Sequence, residues 1–284
     1  MFIVSGATGH TGSVVAKILL QKNLPVRVII RSREKGAEFE KLGAQIAVAD
    51  LQDADALTEA FKGGKVLYLM NPPGYQAENQ FAETEKVIGA FQTAIVNSSL
   101  EKIVALSSIG SQLPSGTGNI LTTYKLEQAF ENSDVPVTFV RAGSFMENWS
   151  GVLETAKTAG VLPSFFQPLN RKVPQVAAAD IGRVVAEAMQ EKTEVNEVKE
   201  LAGFWNSPEE TAEAVGKVLD VEVKAVPIPR EQWLDIMKNY SSPKNAESMA
   251  EMFDGFNSGH IKFETENQLA GKITLEDFMR EALK

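Results

Sequence analysis

The chain contains no cysteine among its 284 residues. Disulfides, thiolate zinc centres, iron–sulfur clusters and thiol nucleophiles are therefore excluded. Histidine is almost as scarce. His10 and His260 are the only two, too few for a histidine-built metal site or a conventional Ser-His-Asp triad. Cations are outnumbered, 28 Lys and Arg against 37 Asp and Glu, for a formal charge of −9. A surface of that sign repels a polyphosphate backbone, so nucleic acid is not an expected partner. Long hydrophobic runs are also missing, and no stretch approaches the roughly 18 apolar residues that cross a bilayer. The first residues, Phe2-Ile3-Val4, are strand-like and have no basic flank. They read as the start of a cytoplasmic protein with no signal peptide and no membrane partner.

What is present is an ordinary globular composition, 44% hydrophobic and 23% charged. At roughly 150 residues per domain the length suits one large domain or two modest ones. Continuous apolar runs at Phe2–Ser5, Val26–Arg31, Gln45–Ala49, Val66–Met70, Ile103–Ser107 and Val137–Arg141 read as parallel strands covered on both faces. Helical stripes lie between them, at Val14, Val15, Ile18 and Leu19 and at Val87, Ile88, Phe91 and Ile95. This alternation predicts an α/β fold of Rossmann type, a doubly wound parallel sheet. Beyond Arg141 the rhythm changes to an aromatic, proline-containing stretch over 144–173. A strand at Gln175–Ala179, a helix at Ile181–Met189 and a strand at Val198–Leu201 follow. A helix then opens on Ser207-Pro208-Glu209-Glu210. A strand at Val221–Pro227 and helices near Glu231–Asn239, Ala246–Phe253 and Leu275–Leu283 complete the chain. The expected division puts 1–143 and 174–203 in an NAD(P)-binding domain, and 144–173 and 204–284 in a smaller α/β substrate cap.

The strongest chemical signal is Gly6-Ala7-Thr8-Gly9-His10-Thr11-Gly12, directly after the first strand and opening the first helix. Gly6 and Gly9 permit a tight turn whose amides approach a pyrophosphate. Gly12 lets the helix pack closely, and the helix N-terminus favours the anion. An NAD site places an acid at the end of the second strand. Here Arg31 stands there, with Arg33 and Lys35 following. Guanidinium forks suit a 2′-phosphate, which selects NADP over NAD; the competing reading is a solvated basic loop. Asp50-Leu51, ending the third strand, is an adenine contact or the cap of the helix beginning near Asp53. Asn71-Pro72-Pro73-Gly74 and Ser107-Ser108 end the fourth and fifth strands, on the edge where such sheets bind ligands.

The proton-transfer pair common in short-chain dehydrogenases needs Lys four residues after Tyr on one helix. Tyr68, Tyr75 and Tyr124 are followed at that spacing by Pro72, Asn79 and Gln128. Tyr240 has Lys244, but Pro243 intervenes. The pair is absent.

Together with Thr123-Tyr124-Lys125-Leu126-Glu127, Arg141-Ala142-Gly143-Ser144-Phe145-Met146-Glu147-Asn148, Ala179-Asp180-Ile181-Gly182 and Gly271-Lys272-Ile273-Thr274, these motifs resemble the NmrA-like branch of atypical short-chain dehydrogenases. The likeness runs nearly the full length. It implies NADPH-dependent reduction of quinones or dyes, or a non-catalytic NAD(P)H-binding regulator. By position it implies that Thr8 to Thr11, His10 included, hold the pyrophosphate, Arg31 and Arg33 the 2′-phosphate, and Asp50 and Leu51 the adenine. Asn71 and Ser107 would approach the ribose and nicotinamide, with Lys125 beside that ribose. Pro72, Phe145 and Asn148 would border the substrate. Lys125 and Tyr124 are the candidate catalytic residues, against a reading of Lys125 as a helix-surface residue. A small apolar acceptor is the expected partner. A homodimer is compatible with the sequence, and a regulator would add a protein partner. No metal is expected.

Overall fold

In a computed structural model, which describes residues 1–284, six strands alternate with helices through the first half of the chain. They are β1 (Phe2–Val4), α1 (His10–Gln21), β2 (Val26–Ile30), α2 (Ala37–Lys41), β3 (Gln45–Val48), α3 (Ala54–Phe61), β4 (Val66–Leu69), α4 (Gln80–Val96), β5 (Lys102–Ser108), α5 (Leu121–Phe130) and β6 (Val137–Ala142). The strands lie in the order β3-β2-β1-β4-β5-β6, all parallel. The chain winds outward from β1 to β3, crosses back to β4, and winds outward again. The reversal between β1 and β4 leaves a crevice at the carboxyl edge, because the loops after these two strands depart in opposite directions.

The strands read as unbroken apolar runs because successive side chains enter opposite cores. Val4, Val28, Tyr68, Val104 and Val140 meet α1 and a later helix on one face. Ile3, Ile29, Leu67, Leu69, Ile103, Ala105 and Phe139 meet α3, α4 and α5 on the other. Each such side chain contributes about 1.5–3 kcal/mol by leaving water. Of the sequence-derived stripes, Val87, Ile88, Phe91 and Ile95 are all buried, as are Val15 and Leu19, while Val14 and Ile18 are half-buried.

The remainder runs β7 (Ser144–Phe145), α6 (Leu153–Ala159), β8 (Val161–Ser164), β9 (Val173–Val176), α7 (Ala178–Ala188), β10 (Glu197–Asn206), α8 (Pro208–Leu219), β11 (Lys224–Pro227), α9 (Trp233–Met237), α10 (Pro243–Ser258), β12 (Leu269–Ala270) and α11 (Leu275–Ala282). β10 continues the sheet parallel to β6, β9 joins it antiparallel, and β7 closes the edge. β8 and β11 form a separate parallel pair, packed with α6, α8 and α11 around a third core that includes Trp149, Phe166 and Met279. The aromatic segment 144–173 holds two short strands, a 3-10 stretch at Met146–Val152 and a helix.

Expected boundaries are corrected at three places. The strand read at Gln175–Ala179 is β9, ending at Val176, because Ala178 already begins α7 and its amide donates to Glu147 Oε1 at 2.9 Å. Pro174 is tolerated within β9 because β7 pairs only with Gln175 and Val176. The strand read from Val221 starts at Lys224, since Asp220 ends α8 with a left-handed φ of 55°. The strand read as Val198–Leu201 extends to Asn206. The predicted helix start at Ser207 is a full capping box: Ser207 Oγ accepts from the Glu210 amide at 3.1 Å, and the Ser207 amide donates to Glu210 Oε2 at 2.8 Å.

Between α10 and α11 the chain forms a strap that is held by buried carboxylates. Glu200 accepts from the amides of Glu264 (2.7 Å) and Thr265 (2.9 Å), and Asp180 from those of Lys272 (2.7 Å) and Ile273 (2.8 Å). A Cβ on Gly271 would lie 2.8 Å from Asp180 Oδ2, so the motifs around residues 180 and 271 are two halves of one joint.

Candidate functional site

The glycine turn fills the β1 side of the crevice. Gly6 takes a left-handed φ of 61°, and the Gly9 amide donates to its carbonyl at 2.9 Å. A Cβ on Gly12 would stand 2.3 Å from the Gly6 oxygen, so only glycine lets α1 close on the turn. Gly9 is the N-cap of α1 and supplies no capping side chain, which leaves the first amides of the helix facing the crevice. Thr8, Gly9 and His10 are exposed along this lip. Thr11 departs from expectation in its side chain. Its hydroxyl is buried against the Tyr68 hydroxyl at 2.8 Å, which leaves only its amide for a ligand. Burial raises the Tyr68 pKa well above the ordinary phenol value, with the Thr11 hydrogen bond opposing this weakly.

A cleft of about 320 Å³ runs from this turn along the carboxyl ends of β2, β3 and β4. Gly6, Thr8 and Gly9 form one end. Arg31, Asp50 and Leu51 form the middle, together with Gln52, Glu83 and Val87, which sequence reasoning missed. Met70, Pro72, Gly74 and Ala77 close the β4 side. The two candidate arginines separate here. Arg31 lines the cleft and has no ion pair, whereas Arg33 lies outside the lining and is held by Glu40 at 2.8 Å. Asp50 is not a helix cap. Asp53 caps α3 by accepting from the Ala56 amide at 2.9 Å, while Asp50 Oδ1 takes the Gln52 amide at 2.9 Å. Gln52 Nε2 donates to Glu83 Oε2 at 2.6 Å, and Lys86 and Gln52 together hold the Glu83 carboxyl below its usual range.

At the other end of the carboxyl edge, the partly exposed side chains of Met70, Leu106 and Phe145 pack on the α1 side of the sheet. Several candidates face elsewhere. Ser107 shares the strand face of Ile103 and Ala105, and its hydroxyl donates to Glu127 Oε1 at 2.5 Å beneath the sheet. It is therefore not available to a ribose. Glu127 in turn takes a bidentate pair from buried Arg141, at 2.9 and 2.7 Å. Lys125 points outward from α5 to Glu85 on α4, at 2.7 Å, and is not among the residues that line the cleft. Tyr124 is half-buried on the same helix and does not line the cleft. Asn71 turns toward α4: Nδ2 donates to Thr84 Oγ1 at 2.9 Å, while its Oδ1 is buried with no partner. Asn148 is exposed in the 3-10 stretch, 3.5 Å from Ser144 Oγ. Tyr240 precedes α10, which begins at Pro243, so its spacing to Lys244 carries no helix geometry.

These residues fit a dinucleotide. Glycine stands at the three tight positions 6, 9 and 12, unpaired helix amides face an exposed lip, an unpaired guanidinium stands beside the lip, and an orphaned acceptor waits at Asn71. No group of acids and histidines is arranged to hold a metal, and no helix is long and apolar enough to cross a membrane.

The profile of the NmrA-like family matches residues 1–278. An NAD(P)H azoreductase of Xenophilus azovorans is 26% identical over 256 residues, covering 89% of this chain and 86% of that protein. Among solved structures, the NADPH-dependent quinone oxidoreductase of Escherichia coli, complexed with NADPH, superposes with a TM-score of 0.83 at 21% identity, covering 100% of both chains. The triphenylmethane reductase of a Citrobacter species, complexed with NADP(H), does so with a TM-score of 0.83 at 19% identity, over 99% of this chain and 100% of that one. At such identities the structures establish the shared fold.

Proposed function

The chain belongs to the NmrA-like family, and on that premise we propose that it is an NADPH-dependent reductase of flat, apolar acceptors such as quinones, enones or dyes. The observation that carries the reading is the pairing of the glycine turn with a free Arg31 at the point where the strand order reverses. An azoreductase among its relatives, and neighbours that bind NADPH or NADP(H), support a nicotinamide cofactor and a small-molecule substrate. The preference for NADP is argued from Arg31.

When bound, the dinucleotide supplies a hydride; the chain supplies position. The amides of Gly9, His10 and Thr11 hold the pyrophosphate against the positive end of α1. Arg31 grips the 2′-phosphate and Asp50 accepts from the adenine amine, with Leu51 against the ring. Asn71 Oδ1 accepts a hydroxyl or amide proton near the nicotinamide end. Met70, Leu106 and Phe145 exclude water where the acceptor lies, with Pro72 and Asn148 at the rim. We assign 1–143 with 174–203 to dinucleotide binding and 144–173 with 204–284 to the cap over the acceptor.

Neither Lys125, paired outward with Glu85, nor Ser107, committed to Glu127, is placed to give the acceptor a proton. That deficit selects the substrate. A quinone or cationic dye accepts hydride without a tuned proton donor, and rate comes from holding the two reactants together in a dry pocket. The test is oxidation of NADPH and NADH against a panel of one quinone, one azo dye and one triphenylmethane dye. Turnover of at least one acceptor with NADPH preferred is expected. Tight NADPH binding with no turnover of any acceptor would instead make the chain a regulator.

A further inference from the structure

Helix α10 starts with Ser242 as N-cap and Pro243 at its first position, which sets Asn245 one turn inside, with no exposed surface. Its Nδ2 donates to the carbonyls of Ala77 (2.8 Å), Tyr75 (2.9 Å) and Gly74 (3.3 Å), and its Oδ1 accepts from the Gln80 amide at 3.3 Å. Two further contacts join the same partners. The Ser242 amide donates to the Tyr75 carbonyl at 3.0 Å, and Gln76 Nε2 to the Tyr240 carbonyl at 2.7 Å. The clasped segment, 71–79, supplies Pro72, Gly74 and Ala77 to the cleft wall. Downstream, α10 also bears on the loop that follows β5: a Cβ on Gly118 would stand 1.9 Å from the Ser248 carbonyl oxygen. Its far half carries Phe253, 4.9 Å from Phe165 and 6.0 Å from Trp233 between ring centres. One helix therefore touches the dinucleotide wall at its start and the aromatic core of the C-terminal region along its length.

Most of the polar attachment of the wall passes through one side chain. An apolar residue at position 245 would leave the Ala77 carbonyl and the Gln80 amide without a partner and the Gly74 and Tyr75 carbonyls with one backbone donor each, and the loop would relax toward water. We propose that Asn245 is a positioning residue for dinucleotide binding, making loop 71–79 and α10 a single body so that closure over the cofactor and placement of the cap are one coupled step. The proposal rests on the dinucleotide reading of the cleft. Coupling between a wall and a remote element commonly amounts to about 5- to 150-fold in affinity.

Three variants and three readouts test it. Asn245→Ala removes the whole clasp. Asn245→Asp keeps the shape and the acceptor for Gln80 but removes the donor. Gln76→Ala removes one exposed contact. Both Asn245 variants should weaken NADPH at least tenfold by fluorescence titration, while saturated turnover of a quinone changes less than threefold. Gln76→Ala should weaken NADPH two- to fivefold. In the unliganded protein, amide hydrogen exchange at residues 75–80 should accelerate in every Asn245 variant that folds. Wild-type NADPH affinity in a folded Asn245 variant overturns the proposal, and so does wild-type affinity in Gln76→Ala if neither Asn245 variant folds. If the wild-type chain binds neither NADPH nor NADH, the cleft reading fails instead. The exchange measurement then decides the clasp alone, and unchanged rates at 75–80 refute it.

Discussion

Arg31 and Arg33 look equivalent in sequence, and the fold makes them unequal. Arg31 follows the last residue of β2 and lines the cleft without a partner, while Arg33 is bound to Glu40. Removal of Arg31 should therefore discriminate between dinucleotides that differ only in the 2′-phosphate. A charge-assisted hydrogen bond is worth about 1.5–3 kcal/mol. Arg31 is exposed, so water screens the pair and the lower half of that range applies. Arg31→Ala should thus weaken NADPH by about 10- to 40-fold, at 1.4 kcal/mol per decade, and NADH by less than about twofold. Arg33→Ala should weaken NADPH by less than about fivefold, because Arg33 would have to exchange one exposed carboxylate for the phosphate, a trade worth roughly 0–1 kcal/mol. Salt gives an internal check. The Debye length falls from about 10 Å at 0.1 M to about 3 Å at 1 M, so the NADPH preference of the wild type should shrink with added salt while that of Arg31→Ala stays flat. Fluorescence titration of both dinucleotides at two ionic strengths measures all of this. Equal losses for NADPH and NADH on removing Arg31, or a larger loss on removing Arg33, would refute the 2′-phosphate assignment.

Three further outcomes are expected. Gly9 has an ordinary negative φ of −91° and a Cβ there would meet only the Gly6 oxygen, at 3.3 Å. Gly9→Val should therefore fold and yet lose dinucleotide binding, since its side chain occupies the pyrophosphate path; retained affinity in a folded variant contradicts that path. Lys125→Ala and Tyr124→Phe should keep turnover and NADPH affinity within about threefold, because an essential acid is worth about 10²–10⁴-fold. A thousandfold collapse in Tyr124→Phe with binding intact would show that the hydroxyl donates a proton. Tyr68 is an acid whose folded pKa is raised by burial above its unfolded value of 10.0. Its contribution to stability is therefore complete below pH 10 and is lost as pH rises above it, by up to about 1.4 kcal/mol per pH unit. Urea unfolding of wild type and Tyr68→Phe between pH 9 and 11 should give a shallower decline in the variant, with Tyr75 and Tyr240, also raised by burial, keeping a residual slope. Parallel curves would rule out Tyr68 as a source of the decline.

The sheet was legible because both faces of its strands are packed, so Ile3 and Val4, neighbours in sequence, each needed to be apolar for a different core. The turn was legible because glycine is demanded by a carbonyl oxygen 2.3 Å from where a Cβ would sit. Strand parity also held information that motif matching overlooked. Ser107 follows Ile103 and Ala105 by twos, which assigns its hydroxyl to the α4–α5 face and away from the α1 side. Lys125 was harder. A 3-10 turn at Gly118–Ile120 precedes α5 and resets the helical phase, so no count from the strand could say which way the lysine points. The clasp at Asn245 was invisible, because its partners are backbone carbonyls some 170 positions away and carry no side-chain signature.

The strap between α10 and α11 bears on how the protein is made. Asp180 and Glu200 are 2% and 5% exposed, and four of the amides that satisfy them belong to residues 264, 265, 272 and 273. A ribosome that has delivered β1 through β10 has produced all of the parallel core but β12, yet these two carboxylates still lack their four amides and have only Arg183 and Arg141 beside them. Their full set of donors is assembled only when residues 264–273 emerge, so the inner end of α7 and the middle of β10 stay unfinished on the nascent chain until then. Completion of the sheet thereby waits for the strap, and a chain cut before residue 264 would present two carboxylates short of four amides where the folded protein has a closed joint.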